Sequence, residues 1–211
     1  MLRTFKLSSP MSVGTWILST YGPLAGLAAA TDVTGRAPRV GLASTVGAGL
    51  VGPAVAAYTA ALIANTAVPV WHDAHRELPY VFVGSAASAA AGLALITTPG
   101  PQAGPARKLA LASRAMERRL GDLIAEPLTH CRSGRLMKAS KALGSSGAVI
   151  GALVGRRNRP SAAAAGAALL AASICTRFGI FEAGRTSAAD PKYTVIPQPQ
   201  RRDAQNPGVS G

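Results

Sequence analysis

Charged and uncharged positions alternate along this chain in blocks the size of long helices. Leu7 to Thr31 contains no Asp, Glu, Lys or Arg, and the same holds for Val40 to Trp71 and Leu78 to Ala106. A bilayer span needs about 20 predominantly apolar residues, so these runs predict spans at about 12–30, 42–66 and 80–98. Ala142 to Gly155 and Ser161 to Thr176 are uncharged as well and predict spans at about 140–155 and 161–181. The first of these two is short, and it reaches across hydrocarbon only if Lys138 and Lys141 snorkel from its start. The basic Met1 to Lys6, the apolar run after it and Ala28 to Ala30 also carry the outline of a signal peptide. The length of the run and the further apolar runs behind it favour a first span.

Arg107 to Glu126 breaks this pattern. Arg114, Glu117, Arg118 and Arg119 fall in its middle, while Leu109, Ala112, Met116, Leu120 and Leu123 form an apolar stripe at helical spacing. This predicts a basic amphipathic helix or partial span over 107–126, lying on a membrane surface or docked on a partner. Small residues recur every fourth position as Gly22 and Gly26, as Gly84, Ser88 and Gly92, and as Gly147, Gly151 and Gly155. Such spacing lets helix backbones approach closely in lipid.

Composition fits the same picture. Of 211 residues, 48% are apolar, 5% aromatic and 15% charged, so alanine and glycine carry the apolar content. The net charge is +13, but Lys and Arg sit between the apolar runs. That placement marks membrane-flanking loops and argues against nucleic acid as a partner. Cys131 and Cys175 have no metal spacing and imply no disulfide framework. The expected fold is all-α: a multi-span transmembrane helix bundle over 1–183, of five or six spans, with the amphipathic helix between them. Residues 184–211, rich in Pro, Gln and Arg, predict a polar, disordered tail.

Candidate chemistry gathers where the second run ends. Trp71, His72, Asp73, Ala74, His75, Arg76 and Glu77 form a polar knot between Pro69 and Pro79. One reading is an interfacial tryptophan anchor followed by a solvated loop. The other is proton handling beside a lipid-soluble redox carrier, because histidine titrates near neutral pH and a carboxylate at a membrane boundary can relay a proton. His72 and His75 share a helical face, but a lone pair of imidazoles is a weak metal signal, and no metal site is expected. Tyr58 either packs its ring inside the bundle or lines a ligand pocket. Arg177 either snorkels from the end of the last span or faces the bundle interior with a carboxylate.

Several segments, in this order, resemble the NrfD family, the polysulfide-reductase-type membrane subunits of bacterial oxidoreductase complexes, especially its actinobacterial members. They are Leu2-Arg3-Thr4-Phe5-Lys6, Ser9-Pro10-Met11-Ser12-Val13-Gly14-Thr15-Trp16, Gly52-Pro53 with Tyr58-Thr59, Val68 to Pro79, Met116-Glu117-Arg118-Arg119, Thr176-Arg177-Phe178-Gly179, and Asp190-Pro191-Lys192-Tyr193-Thr194-Val195. The resemblance implies an integral subunit of the bacterial plasma membrane that exchanges electrons between quinone and an iron–sulfur subunit, itself paired with a molybdopterin catalytic subunit. It implies no cofactor held by this chain, with quinone or quinol as substrate. Tyr58, His72, Asp73, His75, Arg76, Glu77 and Arg177 are then the candidate quinone and proton-handling residues. The matching pieces begin at the third of the family's eight spans, and Arg107 to Arg119 is shortened relative to the sixth.

Two questions stay open at this level. If 107–126 lies on the surface there are five spans and the chain ends on opposite sides; if it crosses there are six and both ends share a side. The Lys/Arg distribution is compatible with either. A truncated or degenerate structural membrane protein without redox activity is the competing expectation. A transport or channel half-unit ranks behind both, because the spans lack paired acidic groups.

Overall fold

The computed structural model describes residues 10–121, 131–155 and 158–189. The described residues form helices and turns, with no strand among them. The helices are α1 (Pro10–Thr34), α2 (Pro38–Ala64), the short α3 (Pro69–Asp73), α4 (Leu78–Thr97), α5 (Gly104–Gly121), α6 (Cys131–Leu153) and α7 (Arg159–Ala189). Proline starts α2 and α3 and sits in the first turn of α4, where its missing N–H leaves no helix bond unmade. Pro23 and Pro53 lie inside α1 and α2 without ending them. The turn between α1 and α2 uses two left-handed residues, Gly35 at φ 66° and Ala37 at φ 53°. Three helices are long and apolar enough to cross a membrane: Pro38–Ala64, Leu78–Thr97 and Arg159–Ala189.

The six long helices alternate in direction. Gly14 of α1 faces Tyr58 of α2, and Thr31 faces Gly41. Ser85 of α4 bonds Ser173 of α7 through their hydroxyls at 2.8 Å, and at the other end Arg159 of α7 donates to the carbonyls of Ile96 and Thr98. Ser140 of α6 and Thr176 of α7 meet at 2.6 Å, while Gly147 of α6 lies against Ala165 and Leu169. One end of the bundle therefore gathers the start of α1, the knot, and the end of α7. The opposite end gathers the α1–α2 turn, Thr98 to Ala103 and the start of α7.

The core is built from small residues. Ala91, Leu95, Ala103, Ala106, Ala110, Ala148, Ala165 and Leu169 form one buried cluster shared by α4, α5, α6 and α7. Ala60, Ala64, Leu78, Val81, Phe82 and Ile180 form a second at the knot end. Two of the glycine seams are used. A β-carbon on Gly92 would lie 2.6 Å from the Gly166 carbonyl oxygen, and one on Gly147 would lie 2.9 Å from that of Ala165. The Gly22–Gly26 seam of α1 is not used within the chain: both positions face open space. The α1–α2 hairpin instead exposes Trp16, Leu18, Leu42, Val46 and Leu50.

Four sequence expectations are corrected. The helix expected over 107–126 begins at Gly104; it is described to Gly121, and 122–126 lie outside the described residues. Its Arg114, expected on a polar face with Arg118 and Asp122, is 5% exposed. The reason is packing: α5 runs back along α4 and lies against α6, so Ala106, Ala110, Ser113 and Arg114 face the bundle while Leu109 and Ala112 of the expected apolar stripe face out. The span expected over 140–155 belongs to a helix that starts at Cys131, because Ser133, Gly134 and Ser140 face inward while the basic residues between them face out. The last helix passes the expected boundary at 183 and reaches Ala189, with Ala183, Gly184 and Ser187 buried. The rest of the expected tail, 190–211, lies outside the described residues.

Candidate functional site

The knot is a helical corner. After Asn65 to Val68 the chain makes the single short helix α3, and His75 and Glu77 continue in turns that lead into α4. Trp71 fixes the corner: its indole N–H donates to the Ile180 carbonyl at 3.0 Å. Its ring lies against Gly184, where any β-carbon would collide with it. Val70 and Ala183 are buried beside it. The aromatic anchor expected from sequence is thus tied to the last helix, and it sets where the polar residues after it emerge.

Those residues face outward. His72, Asp73, His75 and Arg76 are exposed and Glu77 is half-buried. The two imidazole rings are neighbours, with centroids 6.1 Å apart. His75 Nδ1 lies 2.8 Å from the His72 carbonyl oxygen. A carbonyl only accepts, so this bond requires the hydrogen on Nδ1 and leaves Nε2 of His75 available. No group of three or more His, Cys, Asp or Glu with metal-binding geometry occurs among the described residues.

A cleft of about 740 Å³ opens next to the knot, lined by Pro53, Ala54 and Ala57 of α2, by Arg76, by Pro79, Tyr80 and Val83 of α4, and by Met116 of α5. Its volume falls in the range of small-molecule sites, which are largely apolar with a few placed polar groups. Here Arg76 and Tyr80 are the lining residues that carry polar side-chain groups. Near its C-terminal end α2 joins the buried cluster of α4 through Ala60 and Ala64, and before that contact Pro53, Ala54 and Ala57, with short side chains, border the cleft.

Of the expected site residues, Arg76 lines this cleft. Tyr58 does not: its half-buried ring packs on Gly14 of α1. That is the packed-ring reading of Tyr58. Arg177 is exposed, with its guanidinium 5.4 Å from the centroid of the buried Phe82 ring, a cation–π arrangement. Sequence reasoning missed Tyr80, Val83, Ala54 and Ala57 as lining residues. It had placed Met116 on an apolar stripe, the nearest available signal. It also missed the pairing of Arg114 with Glu117. Arg114 further donates to the Lys141 carbonyl and the Ser145 hydroxyl, each at 3.3 Å. Gly84 and Gly144 make room for the pair, since a β-carbon at either would meet it within 3.0 Å.

Compared with family models, curated proteins and solved structures, the chain matches none of them.

Proposed function

We propose that this chain is an integral membrane, quinone-interacting anchor subunit of an iron–sulfur/molybdopterin oxidoreductase complex in the bacterial plasma membrane. In this reading it crosses the bilayer six times, with both ends of the chain and the His72–Glu77 corner on the cytoplasmic side. The alternation of six long helices and the packing of α5 along α4 and α6 support six crossings over five. The chain holds no cofactor of its own. Quinone reduction takes two electrons from the iron–sulfur subunit and two protons from water at the knot; quinol oxidation returns both.

The observation that carries the reading is the apolar cleft between α2 and α4, with Arg76 at its rim and two imidazoles and two carboxylates within a few residues of that rim. An apolar ring enters such a cleft from lipid, and a guanidinium beside it stabilises charge developing on a quinone oxygen. The segment resemblance supplies the partners. The test is purification from native membranes, with iron–sulfur and molybdopterin subunits expected to copurify. Arg76→Ala and Tyr80→Ala are expected to weaken binding of a quinone analogue to that complex, while Tyr58→Phe leaves it unchanged. Purification with no redox partner, or analogue binding indifferent to both cleft variants, overturns the proposal.

A second reading is a structural membrane protein without redox activity. It is favoured by one observation: Tyr58 and the two histidines, three of the expected proton groups, lie outside the cleft lining. It predicts that replacing Tyr58, Asp73 and His75 together changes no quinone reduction by the complex.

A further inference from the structure

The α6–α7 hairpin carries a surface that the quinone reading does not use. Arg132, Arg135, Lys138 and Lys141 follow each other at three-residue steps along the first half of α6, and all four are exposed; each step turns about 60° around the helix, so Arg132, Arg135 and Lys138 lie on one face and Lys141 lies at its edge, toward α5. The opposite side of the same turns is buried, through Ser133, Gly134 and Ser140. The nearest acid on α7, Glu182, already faces Arg185 at 3.9 Å. Along the second half of α6 the exposed side turns apolar, with Val149 49%, Ile150 39% and Leu153 72% exposed. One continuous outward surface thus changes from basic to aliphatic partway down a single helix.

The change falls at a definite height in the bundle. Met137 of α6 packs against Gly179 of α7, one residue from the Ile180 carbonyl that holds the Trp71 indole. The basic stretch is therefore level with the tryptophan, an interfacial residue by type. The aliphatic stretch runs from there toward the other end. The two outer positions are arginines. The two deeper ones are lysines, whose long stems lie along apolar surface while the ammonium reaches up.

We infer that this face of α6 binds an anionic phospholipid, with the phosphate on Arg132, Arg135 and Lys138, with Lys141 adding charge at the edge, and with the acyl chains along Val149, Ile150 and Leu153. An acidic protein would complement the charge but not the aliphatic half, and the union of the two on one helix face is what selects a lipid. The inference rests on the membrane reading.

The experiment uses the full chain in non-ionic detergent, with phosphatidylglycerol or phosphatidylcholine of identical acyl chains added and retention read by native mass spectrometry. The wild type is expected to retain phosphatidylglycerol preferentially. The pairs Arg132→Gln/Arg135→Gln and Lys138→Gln/Lys141→Gln are expected each to lower that preference by roughly tenfold. The control Arg36→Gln/Arg39→Gln, at the opposite end, keeps it. Arg132→Lys/Arg135→Lys, which preserves charge, retains most of the preference and separates loss of a site from loss of fold. Equal retention of the two lipids by the wild type, or a preference unchanged in both glutamine pairs, overturns the inference. So does an acidic protein copurifying with the wild type in place of lipid and lost from those pairs. Failure of the membrane reading shows separately, as a chain that is monodisperse without detergent.

Discussion

At the scale of single residues, the bundle depends on where a β-carbon is absent. Gly92 and Gly166 face each other across α4 and α7 so closely that backbone occupies the space of a methyl group. Gly92→Ala or Gly166→Ala forces the two helices apart. We expect each to cost about 1–3 kcal/mol, as overpacking does, read as a lower thermal unfolding midpoint in detergent. Gly22→Ala, which meets nothing within 4 Å, serves as the matched control and leaves the midpoint unchanged. Gly92 and Gly22 both belong to seams with the same four-residue spacing in the sequence. Spacing shows that an approach is possible, and only the partner helix decides whether it is made.

The buried ion pair obeys a different rule at the same scale. Arg114 and Glu117 are both largely withdrawn from solvent, and an ion pair in such a place stabilises only while both members are present. Arg114→Leu strands a carboxylate beside Gly84 and is expected to cost about 3–5 kcal/mol. The double variant Arg114→Leu/Glu117→Leu removes the uncompensated charge and recovers most of that loss. Equal midpoints for the single and double variants, in the same thermal assay, would show that the charges are not coupled.

At the scale of elements, the uncharged runs were legible because hydrocarbon-length runs have few other uses. The cores of α2, α4 and α7 lie where those runs predict them. Three features were not legible, each because its cause is tertiary. The early start of α6 depends on Ser133, Gly134 and Ser140 facing inward, a pattern hidden by the basic residues interleaved with them. The late end of α7 depends on Gly184 accepting the Trp71 ring from a segment more than a hundred positions earlier. The cleft depends on how α2 packs beside α4, which no local pattern encodes. Tyr58 shows the same limit: its likeness to a pocket residue was read from its own segment, whereas its position is set by Gly14. The α7 extension gives a prediction of its own. Gly184→Leu displaces the indole from the Ile180 carbonyl and is expected to shift Trp71 emission and weaken the corner, whereas Arg185→Leu, one residue on and exposed, does neither.

At the scale of the whole molecule, the direction of α5 decides the topology. If α5 crosses, as its packing along α4 and α6 supports, then Gln102 before it and Arg132 after it lie on opposite sides of the membrane. If α5 lies on the surface, both are on one side. Arg185 shares a side with Arg132 in both geometries, because α6 and α7 cross in each, whereas Asn158 shares a side with Gln102 only if α5 crosses. The measurement is side-specific labelling of single cysteines at these four positions, in intact spheroplasts and in inverted vesicles, with Cys131 and Cys175 replaced by serine and alanine. The expected outcome is one pair, 132 and 185, labelled in inverted vesicles, and the other pair, 102 and 158, labelled in spheroplasts. Labelling of 102 and 132 from the same side reduces the crossings to five and takes the ends of the chain to opposite faces. It would also expose the Arg114–Glu117 pair to the interface, removing the reason for that pair to be matched so closely. The same result would separate the cleft wall supplied by Met116 from the bilayer interior. The labelling pattern therefore tests the fold and the proposed quinone site together, through the one helix whose composition and position pull in different directions.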